Sequence, residues 1–275
     1  MEKNQNKRKG LALFKWLRLI FTVGIEILAS YFAWMIRYSR HPERYPLSLR
    51  YGKVHKLAYS LSKKLRLQLD ENVSSAFKSL QRSTLVVSNH LSICDIVFLL
   101  ALAEDPITFI AKKETANMPF IGKCLKAIDG YFLDRGDPKQ AVRLFMKIGK
   151  AMKEKRMTLV VYPEGTRLKD PFSEVGEFHA GTFKLLEWGK ADLLPVAGFG
   201  SFRPLSKSEH ESSFPVELHA LKLVPCEESK GKNTVELAAE ARNEIESEVA
   251  SMRRFDQEFY AQGLNKKKAG KWWKK

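Results

Sequence analysis

The chain has 275 residues, 44% hydrophobic and 28% charged, a globular balance that suits one large α/β domain with appendages or two small ones. Lys and Arg outnumber Asp and Glu by 47 to 31, and the formal charge of +16 calls for an anionic partner: nucleic acid, an anionic bilayer or a phosphorylated substrate. Three widely spaced cysteines, Cys94, Cys124 and Cys226, indicate neither a disulfide framework nor a zinc site, and point to a reducing, cytoplasmic setting.

Residues 1–10 are polar and basic, and Leu11 to Ile36 is strongly apolar apart from Lys15, Arg18 and Glu26. The stretch is too long and too charged for a signal peptide and lacks a small-residue cleavage site. Its longest charge-free run, Ile27 to Ile36, is ten residues, against the roughly 20 that a spanning helix needs. Lys15, Arg18, Thr22 and Glu26 step by three, four and four, so they share one narrow helical face. Such a helix is predicted to lie in a membrane interface, or to enter one leaflet with its polar stripe against protein; the alternative is a core helix. The flanking basic residues, Trp16 and Trp34 favour the membrane.

Pro42 and Pro46 end this helix, and 39–50 reads as a polar connector. A basic helical region follows at 51–81. Apolar, β-rich runs then recur at Thr84–Val87, Ile107–Ala111, Tyr131–Leu133, Thr158–Tyr162, Leu193–Ala197 and Val216–Val224, with helical patterns at 93–103, 117–127, 138–154 and 179–189. Strands alternating with helices predict an α/β fold, a sheet with substantial parallel pairing flanked by helices. The helix at 138–154 carries Lys139, Arg143, Lys147 and Lys150 along one side, a pattern that fits a solvated face or, as the alternative, membrane or carrier-protein contact. Residues 233–261 read as a further helix. The expected organisation is an N-terminal membrane-associated segment at 1–50, an α/β domain at 51–262 and a basic Lys/Trp tail at 263–275, which suits an anionic membrane surface.

Chemistry concentrates at strand ends. After the strand at 84–87 comes Asn89-His90-Leu91-Ser92-Ile93-Cys94-Asp95, leading into an apolar helix. A carboxylate in the first helical turn can reach back to one imidazole nitrogen, fix the tautomer and leave the other nitrogen as a base. That pair suits removal of a proton from a hydroxyl attacking a carbonyl. Ser92 lies only two residues from His90 and lacks a nucleophile-elbow setting, so the hydroxyl need not be the protein's. Val160-Val161-Tyr162-Pro163-Glu164-Gly165-Thr166-Arg167 runs from a strand into a turn, where Gly165 admits close backbone approach and Thr166 and Arg167 suit phosphate oxygens. Ala111-Lys112-Lys113-Glu114 and Gly130-Tyr131-Phe132-Leu133-Asp134-Arg135 place further cations at strand ends. Three basic strand ends beside a histidine base describe a pocket for a phosphorylated alcohol.

The motifs together resemble those of the glycerolipid acyltransferases, in particular the bacterial 1-acylglycerol-3-phosphate acyltransferases. Asn89, His90 and Asp95 match Asn-His-x4-Asp. Ala111, Lys112 and Glu114 match a second element, and Gly130, Phe132, Asp134 and Arg135 a third. Pro163 to Arg167 match Pro-Glu-Gly-Thr-Arg, with Tyr162 in place of the usual Phe, and Pro195-Val196 a final pair. Departures are Leu91 in the first motif and Phe178-His179-Ala180-Gly181 in place of Phe-Lys-x-Gly; His179 is read as a surface residue rather than a second base. The resemblance implies acyl transfer from acyl-CoA or acyl carrier protein, as co-substrate, to the sn-2 hydroxyl of lysophosphatidic acid. His90 would be the base, oriented by Asp95, with no acyl-enzyme. Arg167 and the Glu164, Gly165, Thr166 turn would hold the acceptor phosphate, and Lys112 and Arg135 would contact acceptor or oxyanion. It implies no metal or other cofactor, and a place on the cytoplasmic face of the membrane. The alternatives are acylation of another lysolipid or of glycerol 3-phosphate, and a non-catalytic basic membrane-binding protein. No nucleic-acid motif is present.

Overall fold

The computed structural model describes residue 17 and residues 20–65, 71–206 and 215–263. One sheet holds β1 (Thr84–Ser88), β2 (Ile107–Lys112), β3 (Tyr131–Leu133), β4 (Thr158–Val161), β5 (Asp192–Phe199) and β6 (Glu217–Ala220), in the order β3-β2-β4-β1-β5-β6. The pairs among β1 to β5 are parallel, and β6 pairs antiparallel with β5. Every residue of β1, β4 and β5 is buried. Continuous apolar runs such as Leu85-Val86-Val87 are what a parallel sheet covered on both faces requires.

The helices are α1 (Ile20–Arg40), α2 (Leu47–Lys64), α3 (Glu71–Ser79), α4 (Ile93–Leu102), α5 (Ile121–Ala127), α6 (Pro138–Glu154), α7 (Lys184–Gly189), α8 (Cys226–Ser229) and α9 (Thr234–Ala261). Val86, Phe109, Val160, Leu194 and Val196 face one core, filled by α1 to α5. Leu85, Val87, Leu159, Val161 and Ala197 face the other, filled by α6, α7 and α9. From β1 the chain passes to α4 on the first face; from β4 it passes to α7 on the second. Two adjacent parallel strands whose connections leave to opposite faces open a crevice at their carboxyl ends.

Two expectations about the first 50 residues are revised. Helix α1 reaches Arg40 and α2 starts at Leu47, so the connector is shorter than expected and the boundary at 50 falls inside α2. Trp34 is not at a membrane surface: with Met35 and Tyr38 it is buried in the first core, so the C-terminal half of α1 is a core helix. The stretch before Trp34 differs. Ile20, Phe21, Ile25, Leu28 and Phe32 are exposed, whereas Glu26 turns onto α2, pairing with Lys64 and accepting from Ser60 Oγ at 3.0 Å. Lys64 also donates to the Thr22 carbonyl at 2.9 Å. Lys15, Arg18, Trp16 and the tail beyond Gly263 lie outside the described residues. The expected strand at 216–224 shortens to β6, with a single further bridge between Leu193 and Val224.

Arg50 fastens α2 to the loop that follows α5. Its guanidinium is nearly buried, forks onto Asp129 at 2.8 and 3.0 Å, and also donates to the carbonyls of Ala127 and of Tyr45. Asp129 takes the left-handed conformation (φ 56°) that this turn imposes. Arg50→Ala removes every donor at once and leaves a buried carbonyl unpaired. Denaturant unfolding should show a loss of about 2–4 kcal/mol.

Candidate active site

The loop after β1 is held by hydrogen bonds that its own sequence supplies. Ser92 caps α4: its Oγ accepts from Cys94 N at 3.2 Å. Asp95, in the first turn and buried, answers with one oxygen, Oδ2, which accepts from Ser92 N at 2.8 Å and Leu91 N at 2.9 Å. The same oxygen lies 2.8 Å from His90 Nδ1. With Asp95 accepting at Nδ1, that nitrogen carries the proton and Nε2 keeps its lone pair. Asn89 pins the loop from the other side, its amide exchanging two bonds with the backbone of Gly198 on β5 at 2.8 and 2.9 Å.

The turn after β4 forms the opposite wall. Tyr162 stacks on His90, ring centroids 4.1 Å apart and planes at 19°. Its hydroxyl is buried without a partner among the described residues, and burial, with Asp95 close by, pushes the phenol well above its ordinary range. Gly165 has φ +71°, and a Cβ there would meet the His179 ring at 3.0 Å. Glycine is needed for both reasons.

Glu164 does not face the cleft. Its Oε1 accepts from His90 N at 2.7 Å and its Oε2 from Gly176 N at 3.1 Å, while Leu168 N donates to the His90 carbonyl at 3.1 Å. The side chain expected to help hold phosphate instead ties the turn to the histidine loop. Burial raises its carboxyl above the usual range, opposed by those two N–H donors. Behind it, α9 clamps the segment: Glu246 accepts from Val175 N at 2.7 Å and Arg242 donates to the Val175 carbonyl at 3.0 Å. Neither contact was visible from the sequence, because 67 or more residues separate the partners.

A cleft of about 430 Å³ lies between these walls, and the structure brings His90, Lys112, Arg135, Gly165, Thr166 and Arg167 to it. Asp95 and Glu164 lie behind the lining, and Pro195-Val196 is inside β5. One side is apolar, from Ile93 and Ile96 of α4 through Phe109 to Ile121 and Leu125 of α5. Lys112 stands 3.5 Å from exposed Glu114, whereas Arg167 has no carboxylate within 4 Å among the described residues. Neighbouring Asp134 is engaged by Lys113 at 2.6 Å, which holds it below the ordinary carboxylate range. His179 is exposed at the rim, as read from the sequence. The arrangement offers a fixed base at the floor, cations at the mouth and an apolar wall. Among the described residues, the one cluster of three metal-ligand types is Asp192, Cys226 and Glu227, at the opposite end of β5. There Arg82 donates to Glu227 Oε1 at 2.6 Å and to Cys226 Sγ at 3.5 Å.

Residues 64–198 match the family model described as Acyltransferase. A Mycoplasma pneumoniae protein named "Probable 1-acyl-sn-glycerol-3-phosphate acyltransferase" is 28% identical over 73% of this chain and 75% of its own. A Helicobacter pylori 1-acyl-sn-glycerol-3-phosphate acyltransferase is 38% identical over 37% of this chain and 44% of its own. The matched part spans 44% of the Saccharomyces cerevisiae relative's length as well. In structure the chain is similar to the 1-acyl-sn-glycerophosphate acyltransferase PlsC of Thermotoga maritima, with a TM-score of 0.61 over 90% of this chain and 97% of that one, at 22% identity.

Glu164→Gln tests the strut. The amide keeps the volume but presents an N–H where a second acceptor is needed, so unfolding free energy should fall by about 1–3 kcal/mol. The pH dependence should change too. A folded-state carboxyl raised above its unfolded value of 4.5 binds more protons folded than unfolded, so stability declines as pH rises from 4.5 through the raised value. Unfolding measured across that window should show this decline shrinking in Glu164→Gln, which cannot titrate.

Proposed function

The chain belongs to the acyltransferase family, and from that premise we propose that it moves a fatty acyl group from an acyl thioester to the sn-2 hydroxyl of 1-acyl-glycerol 3-phosphate, giving phosphatidic acid. The observation that carries the reading is a histidine fixed by a buried carboxylate at the floor of a cleft whose mouth holds Lys112, Arg135 and Arg167.

His90 Nε2 takes the proton of the acceptor hydroxyl as its oxygen attacks the thioester carbonyl. The tetrahedral adduct collapses with cleavage of the C–S bond, an ester forms, and the sulfur leaves with the proton that His90 returns. Asp95 holds the ring and stabilises the imidazolium. Ser92 stays out of the chemistry because its hydroxyl caps α4. Arg167, with Thr166 beside it, binds the acceptor phosphate; Arg135 and Lys112 add charge to the same oxygens or to the oxyanion. The apolar wall suits the acyl chain. The thioester, acyl-CoA or acyl carrier protein, is a co-substrate, and the steps as written use no other cofactor.

The acceptor is a membrane lipid, and α1 supplies the contact. The 21-residue helix is long and apolar enough to cross a bilayer, but its C-terminal half is part of the core. We propose that its exposed stripe of Ile20, Phe21, Ile25, Leu28 and Phe32 enters one leaflet, with Glu26 kept on α2, and that the leaflet is the cytoplasmic one.

Three experiments test this. With purified protein, lysophosphatidic acid and a palmitoyl thioester, His90→Ala should lower kcat by about 10²–10⁴-fold with the fold intact; near-normal turnover would refute the base. Arg167→Lys keeps the charge and loses the bidentate fork, so KM for lysophosphatidic acid should rise several-fold with kcat little changed; a rise confined to the thioester would place Arg167 in the donor site. Phe21→Ser/Leu28→Ser/Phe32→Ser should reduce flotation with anionic liposomes more than tenfold, each side chain contributing about 1–2 kcal/mol, and undiminished flotation would exclude α1 as the contact.

A further inference from the structure

Helix α6 lies on the second face of the sheet, opposite α1 and its apolar stripe. Its inner side is core, with Ile148, Gly149 and Met152 buried. Its outer side exposes Lys139, Arg143, Lys147, Lys150 and Lys153, with one acid, Glu154, at the end and 3.8 Å from Lys150. Among the described residues none of the other four cations has a carboxylate within 4 Å. From Lys139 to Lys153 the row extends about 21 Å at 1.5 Å per residue. Val142 and Met146 are exposed within it, 52% and 57%.

Beside α6 runs an apolar groove of about 420 Å³. Val142 and Phe145 form one wall, Trp188 and Lys184 of α7 the other, with Leu133 and Val161 also lining it. The groove and the catalytic cleft share Ile110, Ala111, Arg135, Tyr162 and Gly165, so it leads from the basic face to the ring stacked on His90.

We infer that this face of α6 docks an acidic protein that carries the acyl group as a thioester on a flexible arm, the arm following the groove to His90. The inference rests on the acyl-transfer reading and names its donor. A row of cations about 21 Å long matches a line of carboxylates on a protein helix, whereas the phosphates of one nucleotide occupy a much shorter span. Met146 and Val142 give that contact an adaptable apolar centre. A bilayer fits poorly, since the exposed apolar side chains of α1 lie on the other face of the sheet.

The test compares the full chain with Lys139→Glu/Arg143→Glu/Lys147→Glu and with the milder Arg143→Gln/Lys147→Gln, which keeps every side chain solvated and tolerable to the fold. Binding to a bacterial acyl carrier protein loaded with palmitate is measured at low salt and at about 0.5 M salt. Turnover with that thioester and with palmitoyl-CoA is measured alongside flotation on anionic vesicles. Charge reversal should weaken carrier binding and kcat/KM for the carrier thioester by about tenfold or more, with a smaller loss for the glutamine variant, and leave palmitoyl-CoA turnover unchanged. Undiminished carrier binding would overturn the inference. So would equal loss with both donors, which would mean the face holds the nucleotide, or loss of vesicle binding alone, which would assign it to the bilayer. If the unaltered chain turned over neither donor, the acyl-transfer reading would fail, while the binding arm would still decide the docking face.

Discussion

One carboxylate oxygen carries three tasks. Asp95 Oδ2 accepts from Leu91 N, Ser92 N and the His90 ring, so the bond that starts α4 also sets the imidazole. The burial of this oxygen would be costly with one donor; three compensate it. Because two of the three are backbone groups of the capping turn, the carboxylate cannot swing away from His90 without loosening the helix. The acceptor it offers His90 Nδ1 is thereby as stable as the fold, which is what the proposed base demands.

The second wall is held by long-range contacts instead. Glu164 joins His90 N to Gly176 N, Leu168 N closes on the His90 carbonyl, and α9 holds Val175 by both its N–H and its carbonyl. The turn that brings Thr166 and Arg167 to the cleft therefore has a fixed position relative to the base. The distance between this turn and His90 is set by those contacts, and Lys112 and Arg135 reach the same cleft on long, flexible side chains.

The strands and their parallel pairing were legible because β-branched runs alternate with helical periodicity, and the His90–Asp95 relation because it is local. Lys112, Arg135, Thr166 and Arg167 were placed in the cleft by their positions at strand ends. Glu164 was expected beside them and instead turns back to His90 N and Gly176 N, since a residue one before a positive-φ glycine gives no sign of which way its side chain turns. Trp34 misled for a related reason: composition cannot distinguish an aromatic residue at a bilayer surface from one packed on Tyr38. Asn89 was seen as part of a motif, but its pairing with Gly198 spans 109 residues and only the folded sheet reveals it. The fourfold step of Glu26 from Thr22 was correct geometry, and the missing fact was its partner on α2.

The sheet separates two kinds of surface. Its first face carries α1, whose outward side chains are apolar, and α4 and α5, which supply the apolar side of the cleft. Its second face carries α6, whose outward side chains are cations. In the proposed reaction a lipid acceptor and a water-soluble donor would reach His90 from phases that do not mix. The loop carrying His90 lies at a switch point of the parallel sheet, and the cleft and the groove share lining residues there. The stack of Tyr162 on His90 sits where the two approaches meet. The tyrosine hydroxyl, where the related motif has phenylalanine, adds a buried polar atom at that junction, unpartnered among the described residues.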